Sequence, residues 1–123
     1  MTLDELKKIS ESGENLKMSP GGQLIDIVYV DDVVEAFVLA GKYLSENKYD
    51  YCGTYGVSSM NPITLQKVVK IFEEVVGKKL SIEWGGRPYR TREIMIPWRT
   101  FKTLPGWSPK INLRDGIKKF LSD

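Results

Sequence analysis

The chain has 123 residues, of which 41% are hydrophobic and 28% are charged, and its net charge is +2. This length and composition are those of one globular domain, predicted to span residues 1-123. No apolar run approaches the roughly 20 residues needed to cross a bilayer, and the acidic N-terminus is unlike a signal or transit peptide. We therefore expect a cytoplasmic protein without a membrane partner. The small net charge does not by itself indicate a nucleic-acid partner.

Two residue types limit the possible chemistry. The chain has one cysteine, Cys52, and no histidine. A lone cysteine excludes an internal disulfide and a multi-cysteine metal site. The absence of histidine removes the commonest metal ligand and the commonest general base, and with them any serine-histidine or cysteine-histidine nucleophile. We predict no metal site and no catalytic residue.

The N-terminal third predicts a helix, an extended piece, a strand and a second helix. Thr2-Leu3-Asp4-Glu5 has the spacing of a capping box, and Leu16–Met18 is expected to be extended. After a Pro-Gly-Gly turn, the β-branched run Leu24–Val30 predicts a strand. Asp31-Asp32 is expected to cap the next helix. The apolar face of that helix is predicted to be Val33, Val34, Phe37, Val38 and Leu44.

The remainder of the chain predicts two more helices and three short strands. Thr64 is expected to cap a helix that ends at Gly77, and Asn112 and Asp115 are expected to cap the last helix. The apolar stripe of the first of these helices is Leu65, Val68, Ile71, Phe72, Val75 and Val76. The predicted strands are Tyr51–Val57, Leu80–Trp84 and Ile94–Trp98, with a helical turn at Arg99–Leu104. The fold class is α/β.

The stretch with the most side chains suited to ligand binding lies between the third and fourth predicted helices. From Arg87 to Arg99 there are four arginines and one carboxylate, Glu93, in a segment too rich in glycine and proline for regular structure. The planar guanidinium group suits bidentate contact with phosphate oxygens. Glu93 follows Arg90 by three residues, a spacing that can hold an arginine in place or accept a hydrogen bond from a sugar hydroxyl. The alternative is a solvated basic loop whose ion pair contributes about 0–1 kcal/mol.

Three strings resemble the extended short-chain dehydrogenase/reductases that act on nucleotide-diphosphate sugars, the NAD-dependent epimerase/dehydratase family. Residues 20–40 resemble the family string "Gly-x-Gln-x-Arg-Asp-Phe-Val-Tyr-Val-Asp-Asp-Val-Val-x-Ala". Arg90–Glu93 occupies the place of the "Arg-Pro-Gly-Glu/Asp" element, and Leu104–Ile117 is similar to the closing "Leu-Gly-Trp-x-Pro-x-x-x-Leu-x-x-Gly-Ile" string. The resemblance spans roughly residues 14–121. It implies a small mixed α/β substrate-binding domain, the C-terminal part of such an enzyme, lacking the Rossmann dinucleotide-binding half.

The resemblance also implies substrate-binding residues. Arg90 is the first candidate to contact the diphosphate, with Glu93 as its partner, and Arg87 and Arg92 are further candidates. Met18 belongs to the extended piece that lies along the nucleobase, mainly through backbone groups.

The chain departs from the family pattern in three places. It has Ile25-Asp26 where the family has Arg-Asp, so one phosphate contact is absent. No tyrosine is followed four residues later by lysine, so the catalytic Tyr-x-x-x-Lys pair is absent. The only glycine pattern resembling a dinucleotide turn, Gly53–Ser59, precedes the helix cap at Thr64 by too many residues to place a phosphate at the helix N-terminus.

These features predict a nucleotide-sugar-binding domain that is catalytically silent alone, related to deoxysugar or surface-polysaccharide biosynthesis. NAD(P) is expected in the complete family enzyme and no cofactor in this chain. The expected partners are a nucleoside-diphosphate sugar and either a second copy or a separate dinucleotide-binding half, on which the helix after Asp32 leans in the family.

Two other functions stay open. A truncated domain can serve as a non-catalytic interaction module that pairs with a separate subunit. A nucleic-acid-binding domain is the second alternative, because aromatic residues interleave with the arginines as they do in stacking platforms. These aromatic residues are Trp84, Tyr89, Trp98 and Trp107.

Overall fold

The computed structural model describes residues 2–46 and 53–123. The helices are α1 (Leu3–Ser12), α2 (Val30–Ser45), α3 (Leu65–Val76) and α4 (Leu113–Ser122). The strands are β1 (Leu16–Met18), β2 (Leu24–Ile25), β3 (Tyr55–Gly56), β4 (Ile63–Thr64), β5 (Ile82–Trp84) and β6 (Lys102–Thr103). The predicted small mixed α/β fold is confirmed.

The strands pair two by two. β1 lies parallel to β5, with Met18 opposite Trp84, and β3 lies parallel to β6. β2 runs antiparallel to β4, which directly precedes α3. No sheet in the described ranges has more than two strands, so these residues do not form the broad parallel sheet of a dinucleotide-binding fold.

Local capping signals set most helix ends. The Thr2 capping box at the start of α1 is complete, with both of its hydrogen bonds present. The side chains of Thr64 and Asn112 each accept a backbone N–H at the start of α3 and α4. Gly77 ends α3 in the left-handed region, at φ 74°, as glycine does without steric cost. These predictions are confirmed because each depends on a few neighbouring residues.

Two apolar clusters hold the elements together. The larger one joins α1, α3 and α4, and its buried residues are Leu6, Ile9, Val69, Phe72, Leu80 and Ile117. The smaller one packs α2 against the segment that precedes α4, through Ala36, Leu104 and Trp107. The predicted stripe of α3 is confirmed at Leu65, Val68 and Phe72, which are buried.

The predictions around Asp32 are wrong. The strand after the glycine turn is only Leu24–Ile25, and α2 begins at Val30 after Tyr29, which provides no side-chain cap. Asp32 is instead buried, and its Oδ2 accepts hydrogen bonds from the backbone N–H groups of Lys110 (3.0 Å) and Ile111 (2.9 Å). Its carbonyl oxygen accepts from the indole N–H of Trp107 (2.8 Å). This carboxylate therefore ties α2 to the C-terminal segment instead of capping its own helix.

The apolar face of α2 named from the sequence is not the side through which the helix packs. Val34, Phe37, Val38 and Leu44 are exposed, with 71% of Phe37 accessible. α2 packs instead through Ala36, with Leu39, Ala40 and Tyr43 alongside. Because α2 is apolar around most of its circumference, periodicity alone could not choose the buried side, and the small alanine allows the closest approach to Trp107.

Three predictions in the loops are corrected. Ile94–Trp98 is not a strand, although the Met95 carbonyl accepts one hydrogen bond from the Leu24 N–H (2.8 Å). Residues 99–104 form no helical turn and contain β6 instead. The strand predicted at 51–57 is limited to Tyr55–Gly56, and Tyr51 and Cys52 lie outside the described residues. None of the described helices combines the length and the apolar character that a bilayer crossing requires.

We expect Asp32→Ala to lower the free energy of unfolding by about 1–3 kcal/mol, because two backbone donors lose their buried acceptor. The matched control is Asp31→Ala, since Asp31 is exposed in the same helical turn, and its effect should stay within about 0.5 kcal/mol. Urea unfolding followed by circular dichroism measures both. Equal effects of the two variants would contradict the structural role of Asp32.

Candidate functional site

A cleft of about 460 Å³ lies between β1, the segment that follows it, and the arginine-containing loop after β5. Four of the predicted substrate-binding residues line it: Met18, Arg87, Arg90 and Glu93. Arg92 is not among the lining residues, and it is exposed on the same loop. The fold thus brings together residues that are about 70 positions apart in the sequence.

Four hydrogen bonds fasten the arginine loop, residues 85–95, to the segment Met18–Leu24. The bonds run from the Arg87 N–H to the Met18 carbonyl (3.2 Å), from the Gly22 N–H to the Tyr89 hydroxyl (2.9 Å), from the Gln23 side-chain amide to the Glu93 carboxylate (3.2 Å), and from the Leu24 N–H to the Met95 carbonyl (2.8 Å). The loop has no regular secondary structure, so these bonds set its position over the cleft.

The N-terminus of α3 holds the other side of the same segment. The backbone N–H groups of Leu65 and Gln66, which have no partner inside the helix, donate to the carbonyls of Gln23 (3.0 Å) and Gly21 (3.2 Å). Gly21 has φ 80°, and a Cβ atom there would lie 2.5 Å from the Trp84 ring. Only glycine satisfies both conditions, because larger residues rarely adopt this φ and would displace Trp84.

The guanidinium group of Arg90 is not neutralised by the carboxylates that line the cleft. The Glu93 carboxylate accepts a hydrogen bond from Gln23, and the Glu93 N–H donates to the Arg90 carbonyl (3.0 Å). Within the part of the chain that the structure describes, the Arg90 guanidinium makes no ion pair. Glu5 also lines the cleft, and its pKa lies below the ordinary value, chiefly because of its hydrogen bond with the Thr2 backbone, with Arg87 contributing.

The position that differs from the family string, Ile25, also lines the cleft and presents an apolar side chain there. The next residue, Asp26, is not among the residues that line the cleft. Its carboxylate accepts hydrogen bonds from the hydroxyls of Ser58 and Ser59 and from the Ser59 N–H. Burial by itself raises the pKa of Asp26, but these hydrogen bonds outweigh it, and the pKa lies below the ordinary value. Asp26 therefore acts as a structural anion and is not poised to carry a proton at neutral pH.

The structure provides no dinucleotide turn at residues 53–59. No helix begins at these glycines, and α3 begins only at Leu65. Among the described residues, no group of three or more aspartate, glutamate or cysteine side chains is placed to hold a metal ion.

The aromatic residues do not form a row of stacking platforms. Trp107 is buried, and Trp84 packs against the larger core cluster. The Tyr89 hydroxyl is bonded to the Gly22 N–H, which leaves Trp98 as the exposed ring of the four. One exposed ring does not carry successive bases, so the structure gives the nucleic-acid alternative no support.

No protein-family model matches the chain. A curated relative, CDP-abequose synthase of Yersinia pseudotuberculosis, is 28% identical over 116 residues, which are 90% of this chain and 36% of the relative. In structure, the chain is similar to UDP-N-acetylglucosamine 4-epimerase from Methanobrevibacter ruminantium in complex with UDP-N-acetylmuramic acid, with a TM-score of 0.73, 18% identity, and coverage of 99% of this chain and 39% of that one. It is also similar to UDP-glucuronic acid 4-epimerase from Bacillus cereus in complex with NAD, with a TM-score of 0.72, 21% identity, and coverage of 96% and 35%.

The curated relatives and structural neighbours of this chain are NAD-dependent epimerases and dehydratases of the extended short-chain dehydrogenase/reductase family, and the match covers a portion like the C-terminal part of those proteins. The resemblance seen in the three strings is therefore confirmed. The chain spans little more than a third of the length of the first curated relative that it matches.

Sequence reasoning missed the residues that build the cleft walls. Gln23 stands out in the sequence only as one residue of the string at 20–40, and Ser19 only as the residue that follows the predicted extended piece Leu16–Met18. A polar glutamine between two glycines and an apolar β-branched run was the available signal, because a buried amide in such a place must find hydrogen-bond partners.

Proposed function

We propose that this chain binds the nucleoside-diphosphate part of a nucleotide sugar in the cleft between Met18–Ile25 and the arginine loop. The observation that carries the proposal is the pair of arginines, Arg87 and Arg90, in a cleft where Arg90 has no carboxylate partner among the described residues. A guanidinium group free of an internal ion pair is available for an external anion. The names of the relatives, which include CDP- and UDP-sugar enzymes, agree with this chemistry.

The roles follow from the chemistry of each side chain. Arg90 and Arg87 would hold the diphosphate, while the Glu93 carboxylate would accept a hydrogen bond from a hydroxyl of the ligand. Met18 would lie along the nucleobase, where the parallel β1 strand presents its backbone. Arg92 remains a candidate by resemblance alone, since it does not line the cleft.

We further propose that residues 1-123 form one nucleotide-sugar-binding domain that is catalytically silent by itself. The described residues contain neither a dinucleotide turn nor a Tyr-x-x-x-Lys pair, and hydride transfer needs a cofactor held beside a proton donor. In a complete enzyme of the family, NAD(P) and the catalytic residues would belong to the other part. The likeness to CDP-abequose synthase favours a role in deoxysugar or surface-polysaccharide synthesis.

An unpartnered apolar face supports a proposal about assembly. Val34, Phe37, Val38 and Leu44 lie exposed on α2, and Val30 extends the same surface. Contiguous exposed apolar surface beyond about 300–600 Å² is rare in monomers and marks an interface. We propose that this face is covered by a dinucleotide-binding half when one is present and by a second copy when the 123-residue chain is alone.

Nucleotide binding is expected to be weak, with a Kd near 1 mM, or about −4 kcal/mol, because Ile25 supplies no phosphate contact. Arg90→Ala should lose about 1.5–3 kcal/mol and so abolish detectable binding. NMR titration with CDP and dTDP measures both proteins. The matched control is Arg99→Ala, an exposed arginine that does not line the cleft, which should bind as the unchanged chain does. Shifts that avoid residues 87–93, or that persist in Arg90→Ala, would place the site elsewhere.

Catalytic silence predicts no NAD(P)H consumption when the chain is mixed with CDP- or dTDP-4-keto sugars. Calorimetry should also show no NAD(P) binding tighter than about 100 μM, or about −5.5 kcal/mol. Absorbance at the nicotinamide band measures turnover. The positive control is a full-length enzyme of the same family, assayed with its own substrate. Turnover above background would contradict the proposal.

Assembly predicts a dimer of the 123-residue chain at micromolar concentration, measured by light scattering. Phe37→Lys should shift the species toward monomer, because a charge at the centre of the apolar face cannot be buried without a partner. Lys118→Glu, a charge change on the exposed side of α4, is the control and should leave the mass unchanged. A monomer in the unchanged chain would disprove this interface.

A further inference from the structure

One buried side chain in the cleft has no place in the roles given above. Only 6% of Gln23 is exposed, and the residue is among those that line the cleft. Its Nε2 donates two hydrogen bonds, to the Ser19 hydroxyl and to the Glu93 carboxylate, each at 3.2 Å. Its Oε1 is buried and has no hydrogen-bond partner among the described residues.

The carboxylate of Glu93 determines which way this amide points. If the amide were reversed, Oε1 would face the negatively charged Glu93 oxygen with no hydrogen between them, and both N–H donors would lose their acceptors. The observed orientation avoids that repulsion, and the unpaired Oε1 is its consequence. Buried polar atoms without partners are rare in proteins because their desolvation is uncompensated.

The Glu93 carboxylate therefore gains a hydrogen-bond donor, while the Gln23 Oε1 stays buried without a partner among the described residues. An apolar side chain of similar shape would remove the unpaired oxygen and fill the same space, so stability alone gives no reason for a glutamine here. What the glutamine provides is a donor that fixes the Glu93 carboxylate on the cleft wall, and Ser19 holds that donor in turn. Local arrangements that cost stability are characteristic of functional sites.

We propose that Gln23 is a positioning residue that holds the Glu93 carboxylate ready to accept a hydrogen bond from a hydroxyl of the bound ligand. The proposal rests on the proposed function, since it assigns Gln23 a part in the same cleft. The hydroxyl belongs either to the ribose or to the sugar that the diphosphate carries, and the ligands used in the test separate these two sources.

The test compares the full 123-residue chain with Gln23→Met, using CDP, 2′-deoxy-CDP and CDP-glucose in NMR titrations together with thermal unfolding. Gln23→Met should keep or raise the Tm and weaken binding of the hydroxyl-bearing ligand about fivefold. A loss shared by CDP and CDP-glucose but absent with 2′-deoxy-CDP assigns the 2′-hydroxyl of the ribose, and an equal loss with all three ligands assigns its 3′-hydroxyl. A loss confined to CDP-glucose relative to CDP assigns the sugar. Lys118→Met is the control, because Lys118 is exposed on α4 and does not line the cleft, and it should leave the Kd for all three ligands unchanged.

A double-mutant cycle separates positioning from a general structural effect. In a Glu93→Ala background, Gln23→Met should change the Kd by less than twofold, because its effect passes through Glu93. A lowered Tm with an undiminished effect in that background would show a structural role and overturn the inference. An unchanged Kd in Gln23→Met also overturns it while the unchanged chain still binds CDP. Failure of the unchanged chain to bind any of the three ligands would instead overturn the proposed function itself.

Discussion

The geometry of the cleft depends on hydrogen bonds made from both sides of one short segment, Gly21–Leu24. On one side, the free N–H groups at the start of α3 donate to its carbonyls. On the other side, its own N–H groups and the Gln23 amide hold the arginine loop through Tyr89, Glu93 and Met95. The arginine loop is rich in glycine and proline and has no regular secondary structure. Its position is therefore set by its hydrogen bonds to this segment.

A second constraint fixes the C-terminal part of the molecule. Asp32 is buried and accepts two backbone N–H groups from the segment that leads into α4, while the Trp107 indole bonds to its carbonyl. A charged side chain is buried only where it is hydrogen-bonded in this way. The same contact turns Ala36 toward Trp107, and it leaves Val34, Phe37 and Val38 facing outward. The apolar face of α2 is therefore exposed because the hydrogen bonds of Asp32 turn the opposite side of the helix toward the C-terminal segment.

The hydrogen bonds of Gly21–Leu24 and of Asp32 place the cleft and the exposed apolar face on different elements of the chain. The cleft with Arg87, Arg90 and Glu93 lies against β1 and the start of α3, whereas the apolar face belongs to α2. A ligand with two phosphates would meet cations in the first region, and an apolar partner would meet the second.

Features that depend on neighbouring residues could be predicted from the amino-acid sequence. The caps at Thr2, Thr64 and Asn112, the end of α3 at Gly77 and the three family strings all followed from local chemistry or ordered motifs, as did the grouping of Arg87, Arg90 and Glu93 on one loop. Other features follow from contacts between segments that are distant in the sequence. The tertiary structure chose the buried side of α2, gave Asp32 partners about 80 positions away, and oriented the Gln23 amide toward Glu93. These outcomes depend on hydrogen bonds and packing between distant segments, which periodicity and spacing along the chain do not encode.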